Sequence, residues 1–408
     1  MKLLQINAVY GIGSTGHIVR DISIKAEESG IDSFVAYSVA REKPEKGYLI
    51  GNTADKKVHA LLSRVSGKQA FFSARATKRL VKYIDTIKPD IVHLHNLHSN
   101  YISLPVLLSE LAERKIKVML TQHDCWFFTG NCFHFSAIGC EKWEAGCRNC
   151  PGRNKIGTKS WISDCTYSVW QEKKRLFSMI DDLVVVSCSD WLTDITRRSF
   201  LGNRRLMTIH NGVNLEVFRP ITSNGIRTRL QIDDKAFVVL GMANKWLLER
   251  NREVLSAVLS MTDIILVLLG CTKEQQIKVN GSNVKTVGFV GDKHELACYY
   301  SAADVFVNLS WEDTFPTVNL ESLACGTPII AHYCTGVPEM VDAKVGMVIQ
   351  PGCAEKMIAA INEVKSVGKD YYSKHCRAKA EKEYDYKQCV AKYISLYQDM
   401  GLLEDNDD

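Results

Sequence analysis

The sequence contains no run of about 18 apolar residues, so no segment is expected to cross a membrane as a helix. A secretory pattern is missing too: Met1-Lys2-Leu3-Leu4-Gln5-Ile6 reads as a first strand and runs straight into a glycine loop. The expectation is a cytoplasmic protein. Charge of one sign is also lacking. Against 46 acidic residues stand 51 basic ones, a net charge of +5, which is too small to argue nucleic-acid binding. No short-period repeat is visible. The fourteen cysteines are scattered through apolar strands and helices, as at Cys271, Cys325 and Cys389, and most are expected to be buried thiols in a reducing compartment.

What is present is alternation. With 408 residues the chain exceeds one ordinary core and fits two domains of about 200 residues each. Strands are expected at Leu3–Val9, Ser33–Ser38, Asp90–His95, Lys117–Thr121 and Leu183–Ser187, with helical spacing at Ile18–Ala26 and Pro105–Arg114. The turn chemistry of His210-Asn211-Gly212-Val213-Asn214 marks a hinge. The pattern then restarts, with strands at Phe237–Met242, Ile264–Gly270, Val284–Phe289, Val305–Leu309 and Thr327–Ala331 and helices at Glu355–Glu363 and Lys387–Gln398. This is an α/β chain of two Rossmann-like domains, residues 1–212 and 213–385. Residues 386–408 would form a C-terminal helix returning to the first domain, with an acidic tail from Glu404 to Asp408. Open α/β sheets bind ligands beyond the carboxyl ends of their strands, so two such domains facing a central cleft suit a two-substrate enzyme.

Gly11-Ile12-Gly13-Ser14-Thr15-Gly16 follows a strand and precedes a helix, where backbone N–H groups cradle phosphate. A dehydrogenase would want a carboxylate closing the second strand. That strand ends Val35-Ala36-Tyr37-Ser38, and only Arg41 could seat a phosphate. A tight turn without ligand is the plain alternative.

The most informative stretch is Ser310-Trp311-Glu312-Asp313-Thr314-Phe315-Pro316-Thr317-Val318-Asn319-Leu320-Glu321, continuing to Ala324-Cys325-Gly326-Thr327-Pro328. It resembles the family 4 retaining glycosyltransferases of the GT-B fold, which carry two acidic residues separated by seven others before a small-residue turn. Val287-Gly288-Phe289-Val290, Thr335-Gly336-Val337-Pro338-Glu339 and Asn211-Gly212-Val213-Asn214 resemble other parts of the same family. The resemblance implies transfer of a hexosyl-type sugar, with retention, from a nucleoside-diphosphate sugar to a glycan or lipid-linked acceptor. It implies no catalytic divalent metal. It gives Glu321 to the donor ribose, Asp313 to a sugar hydroxyl, and the backbone of Phe315, Thr317 and Val318, with Gly13 and Gly16, to donor binding. It also gives His123, in Gln122-His123-Asp124, a contact with the donor sugar. Where the family usually has Arg and then Lys against the diphosphate, this chain has Asn244 and Arg250, so Lys245 and Arg250 are the candidate cations. An epimerase or phosphorylase of the same fold, and a nucleotide-sugar-binding protein without transferase activity, are the alternatives.

Three further features stand apart. His93, His95 and His98 are close together, and cleft lining is favoured over metal, with a satisfied core histidine as the alternative for His93. Cys132, Cys140, Cys147 and Cys150, with His134 nearby, form a candidate structural zinc set within an insertion at 125–151 lined by Trp126, Phe127, Phe128 and Trp143; two disulfides or buried thiols are the alternatives. From Lys56 to Lys82 the chain is basic, without an acidic residue, and interleaved with Leu61, Leu62, Val65, Phe71 and Phe72. That stretch is either a dock for an anionic membrane surface, which would place the enzyme at the inner membrane face, or an ordinary helix with a solvated basic side.

Overall fold

The computed structural model describes residues 1–154, 160–222, 225–279, 281 and 283–402; the expected acidic tail lies outside them. Contacts divide the chain into two compact units. The first comprises Met1–His210 with Cys389–Asp408, the second Asn211–Gln388.

The first unit contains β1 (Lys2–Tyr10), α1 (Gly13–Glu28), β2 (Asp32–Ala40), β3 (Gly47–Leu49), α2 (Thr53–Ser66), α3 (Ala74–Ile87), β4 (Ile91–Leu94), α4 (Leu104–Glu113), β5 (Lys117–Gln122), α5 (Thr166–Ser178), β6 (Leu183–Ser187), α6 (Asp190–Arg197) and β7 (Arg205–Thr208). Its seven strands run parallel in the order β3-β2-β1-β4-β5-β6-β7. Strands covered by helices on both faces must be apolar throughout, as Leu183-Val184-Val185-Val186 is.

The second unit contains α7 (Ile226–Arg229), β8 (Phe237–Met242), α8 (Ala243–Trp246), α9 (Arg252–Leu259), β9 (Ile264–Leu269), α10 (Lys273–Lys278), β10 (Val284–Thr286), α11 (Lys293–Ala302), β11 (Val305–Asn308), α12 (Thr317–Ala324), β12 (Ile329–His332), β13 (Gly346–Ile349), α13 (Ala354–Val367) and α14 (Lys369–Glu383). Its sheet is parallel, ordered β10-β9-β8-β11-β12-β13. The last helix, α15 (Tyr386–Leu402), begins in the second unit and belongs to the first from Cys389 onward.

Several boundaries differ from expectation for local reasons. The strand expected from Thr327 starts at Ile329, because Pro328 has no N–H to give the ladder. The strand expected to reach Phe289 ends at Thr286, and Phe289 stands 89% exposed. The basic stretch is two helices rather than one. Helix α3 buries Ala76, Thr77, Leu80, Val81, Ile84 and Ile87 and is an ordinary packed helix. Helix α2 buries only His59 and Ser63 and leaves Val58, Leu61 and Leu62 at 57%, 53% and 40% exposure.

Candidate active site

In the second unit the strand order reverses between β8 and β11, and ligands of open α/β sheets sit beyond the carboxyl ends at such a point. The candidate residues gather there. Lys245 lies in α8, directly after β8. Asp313 lies in the loop after β11, and Glu321 in α12, the next helix. The loop is pinned by side chains. Asn308 Nδ2 donates to Asn319 Oδ1 at 2.9 Å, and Asn308 Oδ1 accepts the Ser310 N–H at 3.0 Å. The Thr335 hydroxyl accepts the Asp313 N–H at 3.0 Å and donates to the Asp313 carbonyl, so one side chain grips both sides of that residue's backbone.

Asn251, which the sequence reading passed over, joins the two strand ends. It is fully buried, its Nδ2 donates to the Lys245 and Leu309 carbonyls, and its Oδ1 accepts from Trp311 Nε1 at 2.7 Å. Trp311 in turn carries the Arg250 guanidinium over its ring at 5.2 Å. The Cys334 thiol after β12 donates to the Ser310 carbonyl at 3.3 Å, at the start of the loop that bears Asp313. Lys245, Arg250 and Asp313 thus all lie in segments that follow β8 or β11 at the carboxyl edge of the sheet.

Glu321 is half-buried, and its Oε2 accepts from the Tyr300 hydroxyl of α11 at 3.1 Å. Burial pushes its carboxyl up from the usual 4.5 to about 7, against the pull of the Tyr300 hydrogen bond and the Lys293 charge. Helix α12 starts at Thr317 after Pro316, with no side-chain cap and no acidic residue in its first turn, so its positive end is left for an anion. Phe315 is buried against Tyr384, with ring centroids 5.8 Å apart, and its carbonyl accepts from Asn211 Nδ2. Only its backbone is offered for binding.

In the first unit the strand order reverses between β1 and β4. The glycine loop follows β1. Gly11 and Gly13 have φ of +66° and +63°, and the Gly11 N–H donates to the Gly16 carbonyl at 2.9 Å. A Cβ at Gly16 would stand 3.2 Å from the Gly11 nitrogen and from the Val9 side chain. Gly16 therefore sets how closely α1 approaches β1. Helix α1, like α12, has no side-chain cap and no acid in its first turn.

His123 is the first residue after β5 and His95 the first after β4. His95 Nδ1 lies 3.3 Å from His123 Nε2, and His95 Nε2 3.2 Å from Gln5 Oε1. Burial holds His123 down at about 4 and His95 well below the ordinary imidazole range, so both rings are neutral near pH 7. Gln5, fully buried and unforeseen from sequence, is turned by its own donation to the Val19 carbonyl. His93 takes its alternative reading: buried, it bonds Thr121 at 2.7 Å and the Tyr397 hydroxyl at 2.6 Å as a core histidine. His98 bonds Asp124 at 3.1 Å.

A family model described as "Glycosyltransferase Family 4" matches residues 16–217, and one described as "Glycosyl transferases group 1" matches residues 237–366. The chain belongs to the family 4 glycosyltransferases. This glycosyltransferase is 22% identical over 426 residues to the putative colanic acid biosynthesis glycosyl transferase WcaC of Escherichia coli K12, covering 98% of this chain and 100% of that protein. Among solved structures it is similar to sucrose-phosphate synthase from Thermosynechococcus elongatus, with a TM-score of 0.70, 16% identity, and 99% and 100% of the two chains covered. It is also similar to HepE of Anabaena in complex with UDP, with a TM-score of 0.67, 15% identity, and 98% and 100% covered. The fold is GT-B.

Of the five cysteines of the 125–151 insertion, all free thiols, Cys132, Cys140, Cys147 and Cys150 line one small cavity. No helix among the described residues is long and apolar enough to cross a membrane.

Proposed function

We propose that the protein transfers a hexosyl-type sugar from a nucleoside-diphosphate sugar to a glycan or lipid-linked acceptor in bacterial polysaccharide assembly, retaining anomeric configuration. The observation that carries this reading is that Lys245, Arg250 and Asp313, with Glu321 on the following helix, all lie in segments that follow β8 or β11, where the strand order of the second sheet reverses. A nucleotide sugar offers vicinal hydroxyls on its ribose and hexose and a diphosphate between them. Carboxylates accept paired O–H donors, while cations and an uncapped helix start receive phosphate. Glu321 serves the ribose, Asp313 a sugar hydroxyl, and Lys245, Arg250 and the N–H groups of Thr317 and Val318 the diphosphate. His123 serves the donor sugar.

The reading needs no side-chain nucleophile. The leaving diphosphate takes the acceptor's proton on the same face of the sugar, and the protein's work is positioning and stabilising charge on the leaving group. The role of WcaC in colanic acid biosynthesis supports a polysaccharide context, and the UDP held by HepE puts UDP-sugars first among donors to try. The acceptor is reached at the inner membrane face through α2, whose exposed Val58, Leu61 and Leu62 lie among Lys57, Arg64 and Lys68.

A panel of UDP-, GDP- and ADP-sugars titrated calorimetrically should reveal one donor that binds. Incubation with lipid-linked acceptors, followed by nuclear magnetic resonance of the product, should show the donor's anomeric configuration kept. Inverted product would overturn retention; tight binding without turnover on any acceptor would favour the binding-protein alternative.

A further inference from the structure

Residues 123–165 connect β5 to α5, and among their described residues the one regular element is a short 3-10 turn, Ser136–Ile138. A connection of that length seldom holds one shape without help. Part of the help is aromatic: Phe128 and Phe135 pack on Trp143 with ring centroids 5.3 and 5.0 Å away. The rest centres on sulfur. Cys132, Cys140, Cys147 and Cys150 all line one cavity of about 10 Å³, room for a single water-sized body. The Gly130 N–H donates to Cys147 Sγ at 3.1 Å. Left-handed residues make the tight turns that aim these side chains: Gly139 (φ +59°) before Cys140, Gly146 (φ +126°) before Cys147, and Asn149 (φ +49°) inside the Cys147–Cys150 pair.

A second observation comes from α5. Lys173 is fully buried, with its Nζ donating to the carbonyls of Trp126 at 2.6 Å and Thr129 at 3.1 Å. It thereby pins the start of the connection, just before Cys132, to α5.

We propose that Cys132, Cys140, Cys147 and Cys150 bind one structural zinc ion that clips the chain between β5 and α5. Zinc favours a closed tetrahedral set of four sulfurs at about 2.3 Å. Binding breaks four S–H bonds, releases four protons to solvent and forms four Zn–S bonds with no change of oxidation state. Among the described residues no three of these sulfurs lie within 4.8 Å of one another, so the ion would draw the loop inward. The ion takes no part in sugar transfer. It holds the chain that leaves His123.

The test is the metal content of the purified full-length protein after dialysis, with thiols counted in denaturant and peptides mapped for disulfides. About one zinc per chain is expected, with no disulfide among the four cysteines. Protein grown with cobalt should show the strong visible bands of a tetrahedral thiolate centre, a readout that needs no variant. Cys147→Ser/Cys150→Ser should lose the metal, while Cys298→Ser, on α11 in the other unit, should keep it. A metal-free wild type, a Cys132–Cys150 disulfide, iron with sulfide in place of zinc, or metal retained by the double variant would each overturn the proposal.

Discussion

His95 Nδ1 lies 3.3 Å from His123 Nε2, and that one hydrogen bond orders a chain of three side chains. Gln5 Oε1 can only accept, so His95 Nε2 is the protonated nitrogen and His95 Nδ1 the acceptor. His123 then donates through Nε2, and its Nδ1 is the ring's acceptor nitrogen. A neutral imidazole in that tautomer is suited to the role proposed for His123, accepting a hydrogen bond from a sugar hydroxyl. With both rings held well down by burial, the arrangement persists across the physiological range.

The first prediction follows. His123→Ala should cut turnover on the order of 10²-fold while leaving nucleotide affinity within a few-fold, because a hydrogen bond strengthened in the transition state weighs on rate more than on ground-state binding. Gln5→Leu should lower turnover less and leave nucleotide affinity unchanged, since it frees the tautomer without removing the ring. Steady-state kinetics and calorimetry on the same preparations decide. Near wild-type turnover in a folded His123→Ala variant would make it a mere strand-end histidine.

Glu321 gives a prediction in pH. Ribose hydroxyls donate to a carboxylate, and this carboxyl is held at about 7 before ligand binds. Donor affinity should therefore be constant above pH 8 and weaken as pH falls through 7, approaching about tenfold per pH unit. Glu321→Gln should bind weakly at every pH and lose this dependence. Stability runs the other way. A carboxyl raised in the folded state favours folding fully below its ordinary 4.5, and that contribution is lost as pH rises through 7. Glu321→Gln should therefore melt higher than wild type at pH 8, by about 1–3 kcal/mol, and nearly equal at pH 4. Equal melting at both pH values would show that Glu321 is not strained by burial.

Much of this was legible in the sequence, and what was missed has physical reasons. Near-continuous apolar runs such as Val184–Val186 and Ile264–Leu269 announce buried parallel strands, and β6 and β8 fall at the residues expected. Helix α14 was passed over because it is largely charged; it buries Tyr372, Cys376 and Ala380, a stripe one residue wide. Among site residues, Asp313, Glu321 and Lys245 could be placed after strands by motif. Asn251, Gln5 and Tyr300 could not. Their roles are to bond partners 58, 90 and 21 positions away, and a single sequence carries no signal for such pairings. The two-helix split of the basic stretch was hidden because charge pattern alone does not reveal which apolar face finds a partner.

Gly16 offers a test of packing rather than chemistry. Its helical position tolerates a side chain by dihedral, but an added Cβ would press on the Gly11 nitrogen, Val9 Cγ2 and the Val9 carbonyl at 3.2 to 3.3 Å. Gly16→Ala should destabilise the first unit by about 1–3 kcal/mol, since rigid backbone is among the atoms that must yield. Thermal unfolding measures it. An unchanged melting temperature would mean the loop shifts freely, which would also weaken the case for a fixed phosphate cradle.

The membrane proposal rests on a pairing that the basic stretch alone did not suggest. The Trp161 N–H donates to the Arg64 carbonyl at 2.8 Å, at the end of α2, and Trp161 and Ile162 are 61% and 72% exposed. Val58, Leu61 and Leu62 thus continue into a second pair of exposed apolar side chains, with Lys57, Arg64 and Lys68 around them. An apolar face ringed by cations, with a tryptophan at its margin, fits the interface of an anionic bilayer. Each basic residue near such a surface contributes about 1 kcal/mol, screened by salt, while the apolar side chains contribute a part that salt does not screen. Leu61→Ser/Leu62→Ser/Trp161→Ser should lower sedimentation with phosphatidylglycerol vesicles about tenfold or more, because each methylene taken from water is worth about 0.8 kcal/mol. Lys57→Gln/Arg64→Gln should weaken binding and flatten its salt dependence. All five side chains project into solvent in this structure, at the edge of the unit, so the folded protein should survive both sets of changes. Equal binding to neutral and anionic vesicles would remove the electrostatic half of the argument, and wild-type binding by the apolar variant would remove the rest.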